Sequence, residues 1–225
     1  MTTAAEKERV GKAAAELVER GMTLGLGTGS TAVCFIEALA ARGLKPRCVP
    51  TSEATGRLAA ERGFDVVGLD DVTSIDLTID GVDEVDGALV AIKGGGGALM
   101  REKIVASLST SVVYIGDSSK VVERLGRFPL PVEVSPFAAP AIRRRLEELG
   151  AEPTLRMAKD GAGPFVSDER HWIVDAAFGV IDDPDELDVL LNMTPGVVAH
   201  GLFVGLIDRM LIARGSAIEV MARPE

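Results

Sequence analysis

The chain has 225 residues, 47% of them hydrophobic, enough for a full buried core in one large domain or one domain with a small appendage. Its formal net charge of −10 speaks against a nucleic-acid or anionic-membrane surface, and the lack of any apolar run of about 18 residues, behind an N-terminus that mixes charge with alanine, leads us to expect a cytoplasmic protein. Cys34 and Cys48 have no C-x-x-C spacing and only His171 and His200 to join them, so no metal site or disulfide framework is indicated; both thiols are expected buried and free, and both histidines structural.

Residues 5–21 have helical composition and end in glycine, "MTLGLG" is a short apolar strand, and residues 31–43 form a second helix that again ends in glycine. The alternation continues with strand 46–50, helix 52–63, and strands 65–69, 74–80 and 88–93, followed by helix 97–108 and strand 111–117. Such a rhythm predicts a doubly wound, mostly parallel sheet. Pro129, Pro131 and Pro136 mark a change of composition, after which strand, helix, strand, strand, helix and strand follow through residue 203. That order predicts a second, smaller α+β unit of ferredoxin-like type over 129–203, with Trp172 in its core or at an interface. The tail 208–222 reads as two short strands turning at Gly215 and returning to the first sheet, so the large domain is expected over 1–128 and 204–225.

Ligands of open α/β sheets bind beyond the carboxyl ends of the strands, and four loops there carry chemistry. "GLGTGSTA" places Thr28, Ser30 and Thr31 where a helix begins, an arrangement suited to a phosphate. The same stretch fits G-x-G-x-x-A, but the acid that a dinucleotide site needs about 20 residues on is absent, the nearest being Glu53 beyond Pro50. "DGVDEVDG" lacks calcium-loop spacing, and two of its carboxylates, three residues apart, suit a polyol's hydroxyls. "KGGGG" exposes backbone that some group must approach closely, because four glycines are otherwise a liability of about 0.5–1 kcal/mol each. On the helix that follows, counting about 100° per residue from Ala98 puts Glu102 near 40°, on the apolar side, where desolvation raises a carboxyl toward the pKa of a neutral-pH base. "GDSSK" brings Lys120 to the same edge.

"GLGTGSTA", "TIDGVDEVD", "KGGGGALMREKIVAS", "GDSSK", "FPLPVEV" and "TPGVVAHGLF", in this order over nearly the whole chain, resemble the signature set of the ribose-5-phosphate isomerase type A family. The resemblance implies a Rossmann-like domain with a small α+β domain, a sugar-phosphate substrate, no metal or cofactor, and assembly as homodimers or homotetramers. It implies aldose–ketose interconversion of ribose 5-phosphate and ribulose 5-phosphate in the non-oxidative pentose phosphate branch. By the same resemblance Thr28, Gly29, Ser30 and Thr31 hold the phosphate. Asp80 and Asp83, with Gly81 and Val82 between them, meet the sugar and help open its ring. Lys93 and the amides of Gly94, Gly95 and Gly96 line the reacting end, Lys120 closes the site, and Glu102 is the base. A methyl at Gly95 is expected to intrude where the sugar lies. The chain departs from the family at Asp168–His171, where Arg170 and His171 replace the glycine and asparagine of a D-x-G-N turn. Alternatives on a related fold are coenzyme A transferases, whose glutamate is a nucleophile, and non-catalytic sugar-phosphate sensors.

Overall fold

The computed structural model describes residues 3–223. Helix α1 (Thr3–Ala15) precedes β1 (Thr23–Leu26), α2 (Ser30–Ala41), β2 (Arg47–Pro50), α3 (Glu53–Glu61) and β3 (Asp65–Val66). β4 (Ile75–Gly81) leads through two short strands, β5 (Glu84–Val85) and β6 (Ala91–Ile92), to α4 (Leu99–Ser107) and β7 (Ser109–Asp117). β8 (Leu130–Val134), α5 (Ala139–Glu148), β9 (Glu152–Leu155), β10 (Trp172–Ala177), α6 (Pro184–Asn192) and β11 (Val197–His200) follow. The chain closes with β12 (Leu202–Phe203), β13 (Arg209–Arg214) and β14 (Ala217–Ala222).

The main sheet has the order β14-β13-β7-β4-β1-β2-β3, parallel throughout except for the β13–β14 hairpin. Its central strands are apolar runs buried on both faces, as a helix-covered parallel sheet requires; Leu24, Leu26, Ile79, Val113 and Ile115 pack with Val10, Phe35 and Leu39 of α1 and α2. From β1 the chain builds outward through β2 and β3, and from β4 it builds the other way through β7. The reversal between β1 and β4 opens a crevice at their carboxyl ends, which brings residues 27–31 beside residues 80–83. Gly27 makes that approach feasible, since a Cβ there would overlap the Asp80 carboxylate.

A four-stranded antiparallel sheet, β11-β8-β10-β9, with α5 and α6 gives the β-α-β-β-α-β order of a ferredoxin-like unit. Its core includes Val132, Val134, Ile142, Leu146, Val174 and Leu191, and Trp172 packs against it. The expected strand 88–93 shrinks to Ala91–Ile92 because Asp86 accepts hydrogen bonds from the amides of Ala88 and Val90 and turns the chain there, with Leu89 at φ 61°. Residues 91–92 join a separate three-stranded sheet, β12-β6-β5, not the main one. The run 196–203 is not one strand either: it breaks at Gly201, whose N–H reaches Pro131 O and whose carbonyl takes the Lys93 amide. Of the two thiols only Cys48 is buried, Cys34 being half-exposed on α2. In the altered turn Arg170 takes φ 66°, and Asp168 accepts the Glu53 amide at 2.8 Å. Among the described residues no helix is long and apolar enough to cross a membrane.

Candidate active site

A cavity of about 180 Å³ occupies the crevice. Thr28, Gly29, Ser30, Thr31, Gly81, Val82, Asp83, Lys93, Gly94, Gly96, Glu102 and Lys120 line it, together with Lys7; Asp80 and Gly95 do not.

At one end α2 begins at Ser30, with Gly29 at φ 112° before it, so the first amides of the helix lie at the cavity wall. The Thr28 hydroxyl turns inward, 2.8 Å from Thr51 Oγ1 and Ser52 Oγ and 3.1 Å from Thr55 Oγ1. This hydroxyl cluster at the start of α3 braces the loop and engages Thr28 Oγ1, while Ser30 and Thr31 stand outside it at the cavity wall. Lys7, which sequence reasoning missed, donates to Ser30 Oγ at 2.9 Å. It sits one helical turn before Gly11, where a Cβ would lie 2.7 Å from the Cys34 backbone. A mid-helix glycine marking a close helix crossing was the available signal, since residues four apart share a face.

At the other end three charged side chains meet out of solvent: Asp80 is 1% exposed, Lys93 2% and Glu102 4%. Lys93 Nζ lies 2.9 Å from Asp80 Oδ2 and 3.3 Å from Glu102 Oε2, and donates to Gly81 O at 2.6 Å. It also stands 4.9 Å over the Tyr114 ring and 5.5 Å over Phe203, which favours the charged ammonium. One ammonium cannot neutralise two buried carboxylates. Asp80 has the better donors, the amides of Thr28 at 3.1 Å and Gly81 at 2.7 Å in addition to Lys93. Glu102 Oε2 has only the 3.3 Å ion pair with Lys93, with no well-directed hydrogen bond among the described residues. Burial, and then the Asp80 charge, push Glu102 up to about 8, with Lys93 opposing. The Glu102 carboxyl therefore gains or loses a proton near neutral pH at the wall of the cavity.

The four acids at and just beyond the end of β4 have separate tasks. Asp80 lies behind the cavity wall and ties Lys93 to the 27–28 loop, while Asp83 lines the cavity and accepts the Gly95 amide at 2.7 Å. Glu84 turns away to accept the amides of Gly126 and Phe128 at 2.9 and 2.7 Å, and Asp86 caps its own turn. The glycines divide likewise. Gly94 and Gly97 have φ of 97° and 83°, where L side chains are strained. A methyl on Gly95 would meet the Asp83 carboxylate at 2.8 Å and Phe128 at 3.0 Å, not the space for a sugar. Gly96 faces the cavity, and a methyl there would touch only Thr28 Cγ2 at 3.7 Å.

Residues 47–217 match the family model of ribose 5-phosphate isomerase A (phosphoriboisomerase A). The chain is 48% identical over 224 residues to ribose-5-phosphate isomerase A of Sphingopyxis alaskensis, spanning 98% of this chain and 97% of that protein. The structure of ribose 5-phosphate isomerase A from Methanocaldococcus jannaschii superposes with a TM-score of 0.94 at 37% identity, covering 99% of this chain and 100% of that one. A D-ribose-5-phosphate isomerase in complex with phospho-erythronic acid superposes with a TM-score of 0.96 at 36% identity, again over 99% and 100% of the two chains.

Proposed function

The chain belongs to the ribose 5-phosphate isomerase A family, and from that premise we propose that it interconverts D-ribose 5-phosphate and D-ribulose 5-phosphate with Glu102 as the proton-transferring base. The observation that carries this reading is the Glu102 carboxyl at the cavity wall, raised to about 8 and 3.3 Å from a buried lysine ammonium. Starting from the aldose, the Glu102 carboxylate removes the C2 proton, and the C2–H electron pair forms C1=C2 to leave a cis-enediolate with its charge on O1. Lys93 and the amides of Gly94 and Gly96 are the donors for that oxygen, and a preorganised donor of this kind is worth about 2.7–4 kcal/mol in another enzyme. A hydroxyl proton passes from O2 to O1 with Asp83 at hand as carrier, and Glu102 returns the carbon-bound proton to C1. Asp80 acts from behind by positioning Lys93. Lys7, Lys120 and the start of α2 supply the local positive potential that an anionic phosphate needs in a protein of net charge −10.

Association into homodimers or homotetramers in the cytoplasm is part of the same proposal, supported by exposed apolar side chains at Phe137, Val189 and Met193. Light scattering on a sizing column tests it. For the reaction, chelator-treated protein is incubated with ribose 5-phosphate and ketose formation is followed. Conversion is expected. Binding without turnover would favour a sensor, and a glutamyl thioester seen by intact mass after acyl-CoA would favour a transferase.

A further inference from the structure

Arg156 lies in the antiparallel unit, just beyond β9, and does not line the cavity. Its backbone is held on both sides: its N–H donates to Ile173 O and its carbonyl accepts from Phe165 N, both at 2.8 Å. The guanidinium forks onto Asp175, with Nε 2.9 Å from Oδ2 and Nη2 bonded to Oδ1, and stacks 5.8 Å over the Phe165 ring. Its remaining arm reaches into the glycine loop, where Nη1 donates to Gly94 O at 2.9 Å and to Gly95 O at 3.3 Å.

Both peptide units held in this way are trans, and in a trans peptide the N–H points away from the carbonyl. Holding Gly94 O on the Arg156 side directs the Gly95 N–H the other way, and it meets Asp83 Oδ2 at 2.7 Å. That peptide plane is fixed at both ends. Holding Gly95 O on the same side directs the Gly96 N–H away from Arg156, and Gly96 lines the cavity. Four consecutive glycines have more backbone freedom than any other sequence, so an unrestrained loop would rotate these planes and lose its donors. Charge-assisted bonds to two successive carbonyls oppose that rotation, and the Asp175 fork keeps the guanidinium in place.

We propose that Arg156, oriented by Asp175, is a positioning residue that sets the Gly94–Gly95 and Gly95–Gly96 peptide planes and thereby aims the Gly96 N–H at the oxygen of the enediolate. This deepens the isomerase reading and rests on it. Arg156 acts through the loop and does not touch the substrate.

The experiment compares wild type with Arg156→Lys, Arg156→Gln and Asp175→Asn, with folding verified by circular dichroism and melting. We expect kcat to fall at least about tenfold in Arg156→Lys and further in Arg156→Gln, with KM changed by less than about threefold, because the loss is confined to donors used in the transition state. Asp175→Asn should fall between wild type and Arg156→Gln. Affinity for phospho-erythronic acid, whose planar carboxylate resembles the enediolate, should drop with kcat/KM, while inhibition by inorganic phosphate stays within about twofold. A structural role alone would weaken both inhibitors together, and that outcome, or kcat within twofold of wild type in Arg156→Lys and Arg156→Gln, overturns the inference. If Arg156→Gln does not fold, Arg156→Lys, which keeps a cation beside Asp175, decides by the same two inhibitors. An inactive wild type would instead overturn the isomerase reading, and the inference with it, which separates the two failures.

Discussion

At the 28–31 end of the cavity Gly29 and Ser30 are exposed, and Ser30 accepts from a lysine on a neighbouring helix, whereas at the other end Asp80, Lys93 and Glu102 are nearly closed to solvent. The first end is made of backbone, hydroxyls and solvated charge, which bind an anion at little cost to the fold. The second end places a carboxyl in surroundings that oppose its ionisation, and that opposition brings its proton affinity toward the neutral range. Substitutions at the first should therefore change binding alone, and removing the Glu102 carboxylate at the second should lower turnover without lowering stability.

The largest effect is expected for Glu102→Gln. It keeps the shape and removes the proton carrier, so kcat should fall at least about a hundredfold with KM within about tenfold. The melting temperature should stay level or rise near pH 8, because a buried carboxylate that shares its only cation with Asp80 is gone. A variant with near-normal kcat would move the base elsewhere, and a large drop in melting temperature would make Glu102 a structural acid like Glu84.

At the opposite end, Ser30→Ala with Thr31→Ala should raise KM for ribose 5-phosphate by about tenfold to a hundredfold, in line with losing two hydrogen bonds to a charged group. Turnover at saturation should change far less, and unphosphorylated ribose should be nearly indifferent. Equal losses for both sugars would assign the hydroxyls to folding, and the two ends of the cavity would no longer differ in kind.

The pH dependence sharpens the contrast. With Glu102 at about 8, kcat/KM should fall about fivefold between pH 8 and pH 7 and approach a unit slope below, since only the carboxylate accepts the proton. Stability runs the other way. Between the ordinary value of 4.5 and about 8 the folded protein keeps a proton that the unfolded chain has lost, so this group's contribution is complete below 4.5 and vanishes as pH rises through 8. His200, buried and pushed down to about 3, gives the opposite slope from there to 6.5; Lys103, pushed down to about 8 by burial, gives a rising slope from 8 to 10.5. The informative measurement is thus the difference between wild-type and Glu102→Gln unfolding free energies, which should shrink toward acid pH. A difference that is flat from pH 5 to 8 would mean that Glu102 titrates as an ordinary carboxyl.

The placement of Glu102 was legible because helical periodicity is local, and counting from Ala98 is enough to set it among Leu99, Val105 and Ala106. That residues 28–31 line the cavity was legible because a glycine-rich turn between an apolar strand and a helix falls at the carboxyl edge of the sheet. What local pattern cannot convey is which neighbour a side chain finds. Asp80 and Asp83 look alike after an apolar strand, but β4 runs on through Gly81, and Asp80 is drawn behind the wall by two amides and Lys93. Lys7 and Arg156 enter the region through helix crossing and sheet pairing, by residues 23 and 62 positions distant from their partners Ser30 and Gly94. The run 88–93 was misread because Asp86 bonds its own backbone and overrides β propensity.

The smallest effects come from the glycines of the loop, and alanine at each position separates what the sequence presents as one tract. Gly94→Ala places a side chain at φ 97° and 3.0 Å from Leu99, so stability should fall by about 1–2 kcal/mol, seen as a lower melting temperature without ligand. Gly95 is outside the left-handed region, and its added methyl would press on the Asp83 carboxylate and Phe128. Asp83 should yield, with a loss of activity of about threefold to tenfold and little change in melting. Gly96→Ala has room within the protein, its methyl touching only Thr28, so stability should match wild type. Any loss of turnover there reports a methyl competing with substrate, because Gly96 is the glycine that both faces the cavity and lacks a strained φ. Full activity in Gly96→Ala would show that nothing approaches this backbone closely, and the donors to the enediolate would then have to be Lys93 and Gly94 alone.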